Sequence, residues 1–212
     1  KYADLVALSF HPVKNITTGE GGAILTNDTK HYRLLKSLRS HGVVKNSKML
    51  KKYGPWYYEM RYLGNNYRMS DIHASLGISQ LKRIKKFVKK RNFIANYYNN
   101  IFSDKSKFNI PKKRKDCEHS FHLYPLLLNF KKIKKNKKKI YYEFLKNKIK
   151  LQVHYIPVNF QPYYNKVIKF DKKKFKNSLE FYNKQISMPM YYDLNLKQLK
   201  YIKKIKKKIF NI

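Results

Sequence analysis

Two apolar runs separated by a glycine-rich turn constrain the fold of the first 39 residues. Residues 2–10 are largely apolar, as in a buried strand. Residues 15–22, Asn-Ile-Thr-Thr-Gly-Glu-Gly-Gly, have turn chemistry, and residues 23–26 predict a short second strand. Asn27-Asp28 can then cap a helix over about 29–39. The chain is therefore predicted to begin with a strand, a turn, a second strand and a helix.

The rest of the chain contains further strands and helices, and their alternation in the C-terminal part suggests a small α/β domain. Residues 40–65 are irregular, but their aromatic side chains favour an ordered loop. Ser70-Asp71 predicts the start of a long amphipathic helix that continues through Tyr98. The later pattern predicts strands at 121–130, 151–155 and 186–190, and helices from about 140, near 177–185 and over 195–210.

A polar segment separates two predicted domains. The 212 residues suit one sizeable domain or two small ones. Residues 103–120 contain Pro111 and a run of four basic residues, so we place the boundary there, between domains 1–102 and 103–212. Because the chain starts at Lys1 with a strand already under way, we expect it to be the C-terminal part of a longer protein.

The extreme positive charge has two interpretations. The formal net charge is +37, from 49 basic and 12 acidic residues, which would suit a polyanion-binding protein. Only seven of the basic residues are arginine, although a nucleic-acid reader would favour its planar, bidentate guanidinium. Lysine, isoleucine, asparagine, tyrosine and phenylalanine share AT-rich codons, so we favour codon bias. We therefore expect a solvated lysine surface and no specific nucleic-acid partner, with polyanion binding as the alternative.

The cysteine count and the hydropathy pattern bear on location. Cys117 is the single cysteine and cannot form an internal disulfide, which fits a reducing cytoplasm. No apolar run approaches the roughly 18 residues that a membrane span requires. No clustering of residues predicts a metal site. We therefore predict a cytoplasmic protein with no membrane partner.

Lys14 stands out because lysine is otherwise absent between residues 2 and 29 of this lysine-rich chain. It follows an apolar run and precedes a glycine-rich turn. Partial burial of an ammonium group disfavours its charged form, and only the neutral amine attacks an aldehyde. An ordinary exposed loop lysine is an equally good interpretation of the spacing alone.

Two sequence blocks resemble the DegT/DnrJ/EryC1/StrS family of sugar aminotransferases. Residues 9–14, Ser-Phe-His-Pro-Val-Lys, followed by Thr-Thr-Gly-Glu-Gly-Gly-Ala at 17–23, are similar to the segment that carries the family's lysine for pyridoxal phosphate (PLP). Residues 63–72, Leu-Gly-Asn-Asn-Tyr-Arg-Met-Ser-Asp-Ile, resemble its second signature. The resemblance extends through 122–126, 152–157 and 186–189, so it spans nearly the whole chain.

The resemblance implies a role for each matched residue. Lys14 would hold PLP as a Schiff base and then serve as the acid and base of the reaction. Ser9 would hydrogen-bond the PLP phosphate. Asn66 would reach the phosphate bound by a neighbouring subunit, so a homodimer would share its active sites. His154 and Tyr155 would lie near the substrate, although a buried strand histidine is an equal alternative for His154.

The same resemblance implies a fold and a reaction. The fold would be the α/β fold of a fold-type-I PLP-dependent transferase, similar to aspartate aminotransferase, with the N-terminal part of the large domain missing. Related dehydratases carry histidine in place of the lysine, so Lys14 favours transamination. The branch matched at the C-terminus implies amino transfer from an amino acid, L-glutamate, to C4 of a UDP-4-keto-6-deoxy-N-acetylhexosamine, in nonulosonic (pseudaminic) acid biosynthesis.

Two alternatives to this reaction remain open beside polyanion binding. An aminotransferase of the same family could use another nucleotide-linked ketosugar, such as a GDP-linked one. The chain could also be an inactive truncated remnant, because in the family the aspartate that pairs with the PLP ring nitrogen lies upstream of the segment that matches Tyr2.

Overall fold

The structure, a computed structural model, describes residues 2–168 and 170–211, with residue 172 described by its backbone alone. The chain divides into two compact units, residues 1–84 and residues 85–212. The domain boundary predicted between residues 102 and 103 stays a prediction. In the described part of the chain, no helix is both long enough and apolar enough to cross a membrane.

The first unit is built from two small antiparallel sheets and three helices. Strands β1 and β2 pair antiparallel, with Ser9 opposite Gly22, and strands β3 and β4 form the second pair. Asp28 caps helix α1 by accepting a hydrogen bond from the His31 backbone N–H at 2.8 Å, as the sequence predicts. In chain order the elements are β1 (Val6–Ser9), β2 (Gly22–Leu25), α1 (Thr29–Leu38), β3 (Val43–Val44), α2 (Ser47–Tyr53), β4 (Glu59–Met60) and α3 (Asp71–Leu81).

The second unit contains a three-stranded antiparallel sheet in the order β5, β6, β7 and six helices in its described part. Two 3-10 helices, Val158–Phe160 and Lys172–Phe175, lie between the longer elements. In chain order the others are α4 (Ile84–Ile101), β5 (Phe108–Asn109), β6 (Tyr124–Leu128), α5 (Phe130–Ile133), α6 (Lys137–Lys146), α7 (Pro162–Val167), α8 (Lys176–Lys184), β7 (Gln185–Met188) and α9 (Leu196–Phe210).

The hydrophobic core lies in the second unit. The fully buried side chains of β6 alternate with partly buried ones, while all four residues of β7 are buried, as in a central element of a core. Apolar side chains of α4, α6 and α9 complete this core at a spacing typical of amphipathic helices. The buried guanidinium of Arg91 in α4 donates hydrogen bonds to the carbonyl oxygens of Phe121, His122 and Met190.

The apolar side chains of the first unit remain largely exposed. Residues 2–10 are predicted as a buried strand, but Val6 is 42% exposed and Leu8 is 40% exposed. The prediction of burial is wrong for this chain because β1 and β2 form a two-stranded hairpin, to which no third strand pairs among the described residues. The apolar stripe predicted along the start of α3 is likewise exposed, with Ile72 at 80%.

Several predicted elements are confirmed and others differ. Helices α1, α8 and α9 and strands β1, β2 and β7 lie close to their predicted positions. The single helix predicted from residue 71 to 98 is two helices, with a turn at residues 82–83 between them. The strand predicted at 151–155 is reduced to one bridge between Gln152 and Ser187. The irregular segment 40–65 contains α2, β3 and β4, and α7 was not predicted.

Candidate functional site

A hydrogen-bonded loop follows β1 and carries Lys14. The backbone N–H of Phe10 donates to the carbonyl of Gly21 at 2.9 Å, and the N–H of Thr18 donates to the carbonyl of Phe10 at 3.0 Å. The Thr17 hydroxyl donates to the same carbonyl at 2.9 Å. These bonds close the loop at its base, so the turn that contains Lys14 is held at the end of the β1–β2 hairpin.

Lys14 lies within this closed loop and its side chain is half-buried. Its backbone N–H donates to the carbonyl of His11 at 2.9 Å, which forms a tight turn. Within the part of the chain that the structure describes, the Lys14 ammonium group makes no hydrogen bond or ion pair. The group is therefore positioned by its backbone and is available for a ligand.

Ser9 ends β1 and lies five residues before Lys14. Its side chain is exposed, although its backbone is fixed opposite Gly22 in the hairpin. A strand end next to a glycine-rich loop offers hydroxyl and backbone N–H donors, which suit an anionic group such as a phosphate. Ser9 and Lys14 thus lie on the same short segment, as the sequence predicts.

The two sequence blocks of the first unit meet at Thr18. This residue is only 2% exposed, and its hydroxyl donates to the Glu20 carbonyl at 2.7 Å. Its Cγ2 atom lies against the backbone of α3, because a Cβ atom built on Gly77 would stand 2.7 Å from it. His73, also in α3, lies beside Gly19. The loop that carries Lys14 is therefore packed on the helix of the second block.

Asn66 belongs to a segment that lies closely against residues 38–42. The Asn65 N–H donates to the Leu38 carbonyl at 2.9 Å, and Asn66 bridges Ser40. Gly42 has a φ of +70°, and a Cβ atom there would collide with the Tyr62 backbone, so only glycine suits this position. The Asn66 side chain is exposed, and no hydrogen bond joins it to Ser9 or Lys14 among the described residues.

His154 and Tyr155 lie in the second unit, next to β7. The His154 ring is half-buried and its Nδ1 atom is 2.8 Å from the Ser187 hydroxyl. The Tyr155 ring is 72% exposed and stands edge-on to the His154 ring, with 4.6 Å between centroids. Burial lowers the pKa of His154, which favours a neutral imidazole.

Sequence reasoning named Lys14, Ser9, Asn66, His154 and Tyr155, but it missed the residues that support them. Thr18 and Gly77 are separated by 59 positions, and no local pattern links them. Ser187 lies in a segment that the resemblance includes, yet nothing in the sequence pairs it with His154. The burial of polar residues such as Thr18 and Ser187 marks these supporting positions, but burial can be seen only in the folded chain.

The residues of the first unit fit a ligand with an aldehyde and a phosphate. One short segment carries an amine that has no partner among the described residues, a hydroxyl and a glycine-rich loop. The amine suits an aldehyde, and the hydroxyl and backbone N–H groups suit a phosphate. Comparison with known proteins identifies the ligand class, because the model of the DegT/DnrJ/EryC1/StrS aminotransferase family matches residues 1–206. The chain belongs to this family.

Curated relatives and solved structures agree with this assignment. The chain is 39% identical over 203 residues to the UDP-4-amino-4,6-dideoxy-N-acetyl-beta-L-altrosamine transaminase of Campylobacter jejuni serotype O:2, covering 96% of this chain and 51% of the relative. It is also 39% identical over 189 residues to the uncharacterized protein MJ1066 of Methanocaldococcus jannaschii, covering 89% of this chain and 49% of that protein. The chain therefore spans about half the length of the curated relatives it matches.

The fold is similar to that of solved sugar aminotransferases. Helicobacter pylori PseC, an aminotransferase involved in the biosynthesis of pseudoaminic acid, matches with a TM-score of 0.88 and 33% identity, covering 99% of this chain and 54% of that chain. The PLP-form of the putative sugar aminotransferase Spr1654 of Streptococcus pneumoniae matches with a TM-score of 0.84 and 27% identity, covering 99% of this chain and 52% of that chain. The predicted family and fold-type-I class are confirmed, and PLP is confirmed as the family's cofactor.

Proposed function

We propose that the complete protein transfers an amino group from an amino acid to C4 of a UDP-4-keto-6-deoxy-N-acetylhexosamine. The observation that carries this proposal is the half-buried amine of Lys14, which makes no hydrogen bond or ion pair within the described residues and lies in a loop that matches the family. The sugar is inferred from the activity for which the Campylobacter relative is named. L-Glutamate is the donor that we propose, and a nonulosonic acid is the product to which the amino sugar would lead.

The proposed roles use the chain's own residues. Lys14 would hold PLP covalently through Nζ. Once the Lys14 amine is released from PLP, it would take up and return the proton at the reacting carbon. Ser9 would bind the phosphate. PLP, when bound, supplies the electron sink that stabilises the carbanion, while the protein orients the reactants and excludes water. His154 and Tyr155 would contact the sugar nucleotide.

A homodimer is the assembly that we propose, with Asn66 reaching the phosphate bound by the other subunit. The exposed Asn66 side chain makes no hydrogen bond within the described residues, so it is free to bind another molecule. Exposed apolar side chains on β1, β2 and α3 support association, because monomeric proteins rarely leave contiguous apolar surface in water. The proposed location is the cytoplasm.

Covalent trapping of the cofactor tests this function directly. The protein is incubated with one equivalent of PLP, reduced with borohydride and digested, and the modified peptide is identified by mass spectrometry. Before reduction we expect the visible absorption band of lysine-bound PLP, and after reduction and digestion we expect the label on the peptide that contains Lys14. Both should be absent from Lys14→Ala and retained in the control Lys30→Ala, which removes an exposed lysine from α1. Label distributed evenly over the surface lysines would refute the role of Lys14.

The acceptor sugar requires a separate measurement. UDP-linked and GDP-linked 4-keto-6-deoxysugars are compared as acceptors with L-glutamate as donor, and product formation is followed by mass spectrometry. We expect a higher kcat/KM for the UDP-linked N-acetylhexosamine. A preference for the GDP-linked sugar would retain the aminotransferase and reject the proposed substrate. Labelling of Lys14 without turnover of either sugar would favour the inactive remnant.

A further inference from the structure

A buried polar network surrounds His154 in the second unit. The backbone N–H of His154 donates to Oε1 of Gln185 at 2.9 Å. The Nε2 amide of Gln185 donates to the Ser187 hydroxyl oxygen at 2.5 Å, and the same oxygen lies 2.8 Å from Nδ1 of His154. Gln185 is 0% exposed and Ser187 is 3% exposed, so both side chains are shielded from bulk solvent.

The backbone orients this network. The N–H of Ser187 donates to the Gln152 carbonyl at 2.7 Å, and the N–H of Gln152 donates back to the Ser187 carbonyl at 3.2 Å. This bridge holds the segment before His154 alongside β7. A backbone N–H can only donate, so the atom of Gln185 that faces His154 must be its carbonyl oxygen. The amide nitrogen of Gln185 must then face Ser187.

The position of the Ser187 proton also follows from which atoms of the network can donate and which can accept. If the imidazole donated from Nδ1, the Ser187 oxygen would accept two bonds, and its own hydrogen would have no acceptor among the described residues. A buried donor without a partner is unfavourable, because nothing replaces the hydrogen bond that it made with water. If the hydroxyl donates to Nδ1 instead, its hydrogen has an acceptor, and the Ser187 oxygen still accepts from the Gln185 amide.

We infer that Gln185 and Ser187 are positioning residues that hold His154 as a neutral imidazole with its proton on Nε2. Protonation of Nδ1 would turn that atom into a donor and remove the acceptor of the Ser187 hydroxyl, so the network opposes the charged ring. Burial of the ring acts in the same direction. The edge-on Tyr155 ring is the titratable neighbour in contact with the imidazole among the described residues.

The consequence is that His154 presents a neutral hydrogen-bond donor. Its Nε2 atom makes no hydrogen bond within the described part of the chain, so its N–H can bind a ligand. A neutral N–H donor suits an uncharged acceptor oxygen, such as a sugar hydroxyl or the carbonyl of an acetamido group. A cationic ring would favour a phosphate instead. The choice of a sugar oxygen rests on the proposed function, whereas the tautomer does not.

Nitrogen NMR of the protein labelled with ¹⁵N-histidine tests the inference without a ligand. The His154 signals are identified by their loss in His154→Gln. We expect an acceptor-type signal for Nδ1 and a protonated signal for Nε2, both unchanged when the pH is lowered from 8 to 6.5. A protonated Nδ1 signal, or a ring already half charged at pH 6.5 or above, would overturn the inference whatever the variants show.

Ser187→Ala distinguishes positioning from simple packing. Removal of the hydroxyl should produce a mixture of both tautomers and raise the pH at which the ring titrates. The control Ser178→Ala removes an exposed hydroxyl from α8 and should leave both properties unchanged. A His154 tautomer unaltered in a folded Ser187→Ala protein would refute the role of Ser187. Failure of PLP to label Lys14 would refute the proposed function and would leave the tautomer measurement unaffected.

Discussion

Thr18 packs directly on the backbone of helix α3 at Gly77, where an added Cβ atom would lie 2.7 Å from the Thr18 Cγ2 atom. This contact joins the loop that carries Lys14 to the second sequence block. Thr18 is buried, and its hydroxyl is bonded to the Glu20 carbonyl, so its side chain cannot rotate away at low cost. The distance between the loop and helix α3 therefore depends on the lack of a Cβ atom at Gly77.

Gly77→Ala is expected to destabilise the first unit despite the higher helix propensity of alanine. Propensity favours alanine by about 1 kcal/mol, whereas overpacking against Thr18 costs about 1–3 kcal/mol. Thr18→Ser removes the clashing methyl group and retains the hydroxyl. When it is combined with Thr18→Ser, Gly77→Ala should become neutral or stabilising, and hydrogen exchange of residues 17–22 measures the change.

Ser79→Ala is the control for this cycle. Ser79 is exposed on the same helix, so its substitution should add independently to Thr18→Ser. An equal loss of protection from Gly77→Ala with and without Thr18→Ser would show that the contact with Thr18 does not set the cost.

Arg91 is expected to be essential for the stability of the second unit. Its Nη1 donates to three carbonyl oxygens, those of Phe121, His122 and Met190, at 3.0 to 3.3 Å. Arg91→Met retains much of the apolar stem but removes the three hydrogen bonds of the guanidinium, at a cost of about 3 kcal/mol. Urea unfolding followed by circular dichroism measures the loss.

The control for Arg91→Met is Lys89→Met, which removes an exposed charge from the same helix. It should change the free energy of unfolding by less than about 0.5 kcal/mol. Equal effects of the two substitutions would indicate that Arg91 contributes only its charge to the stability.

The sequence predicts an element well where a local pattern defines it. Helix α9 has apolar residues at helical spacing and an Asn195 cap, so its bounds follow from adjacent residues. The strand predicted at 151–155 failed because an apolar run does not specify a pairing partner, and the segment bridges β7 at Gln152 alone. The break at residues 82–83 has no proline or glycine to indicate it.

In the candidate site, too, the residues that lie in a local motif were predicted and those that depend on distant contacts were not. Lys14 and Asn66 were found because short motifs surround them, whereas Ser187 was missed because its contact with His154 is formed only in the folded chain. The exposure of β1 was also unpredicted. An apolar strand is read as buried, but burial depends on surfaces that the local pattern does not contain.

The charge is expected to give weak, non-specific binding to polyanions. In α9 the lysines at 197, 200, 203, 204, 207 and 208 are exposed, as on a solvated helix face. Fluorescence anisotropy with duplex DNA should show binding that weakens steeply between 50 and 200 mM salt, on the order of the 10³-fold or greater losses typical of phosphate contacts. Tight, sequence-dependent binding at physiological salt would instead support the polyanion-binding alternative.

Tyr98 is expected to make the second unit sensitive to alkali. The ring is fully buried and its hydroxyl donates to the Pro189 carbonyl at 2.7 Å, while burial raises the pKa of this phenol well above its usual value of 10. The unfolded chain therefore releases the proton at a lower pH than the folded chain does. The contribution of Tyr98 to stability is complete below pH 10 and is lost as the pH rises towards the folded pKa.

Tyr98→Phe should consequently reverse its effect with pH. At pH 7 the variant loses one buried hydrogen bond and should be less stable by about 1 kcal/mol. Above pH 10 the wild-type protein loses stability through ionisation of Tyr98 in the unfolded state, and the variant does not, so the difference should shrink and then change sign. Lysine titration affects both proteins equally. The exposed control Tyr142→Phe should give a constant, small difference in urea unfolding from pH 7 to 11, and a constant difference for Tyr98→Phe would contradict the proposed linkage.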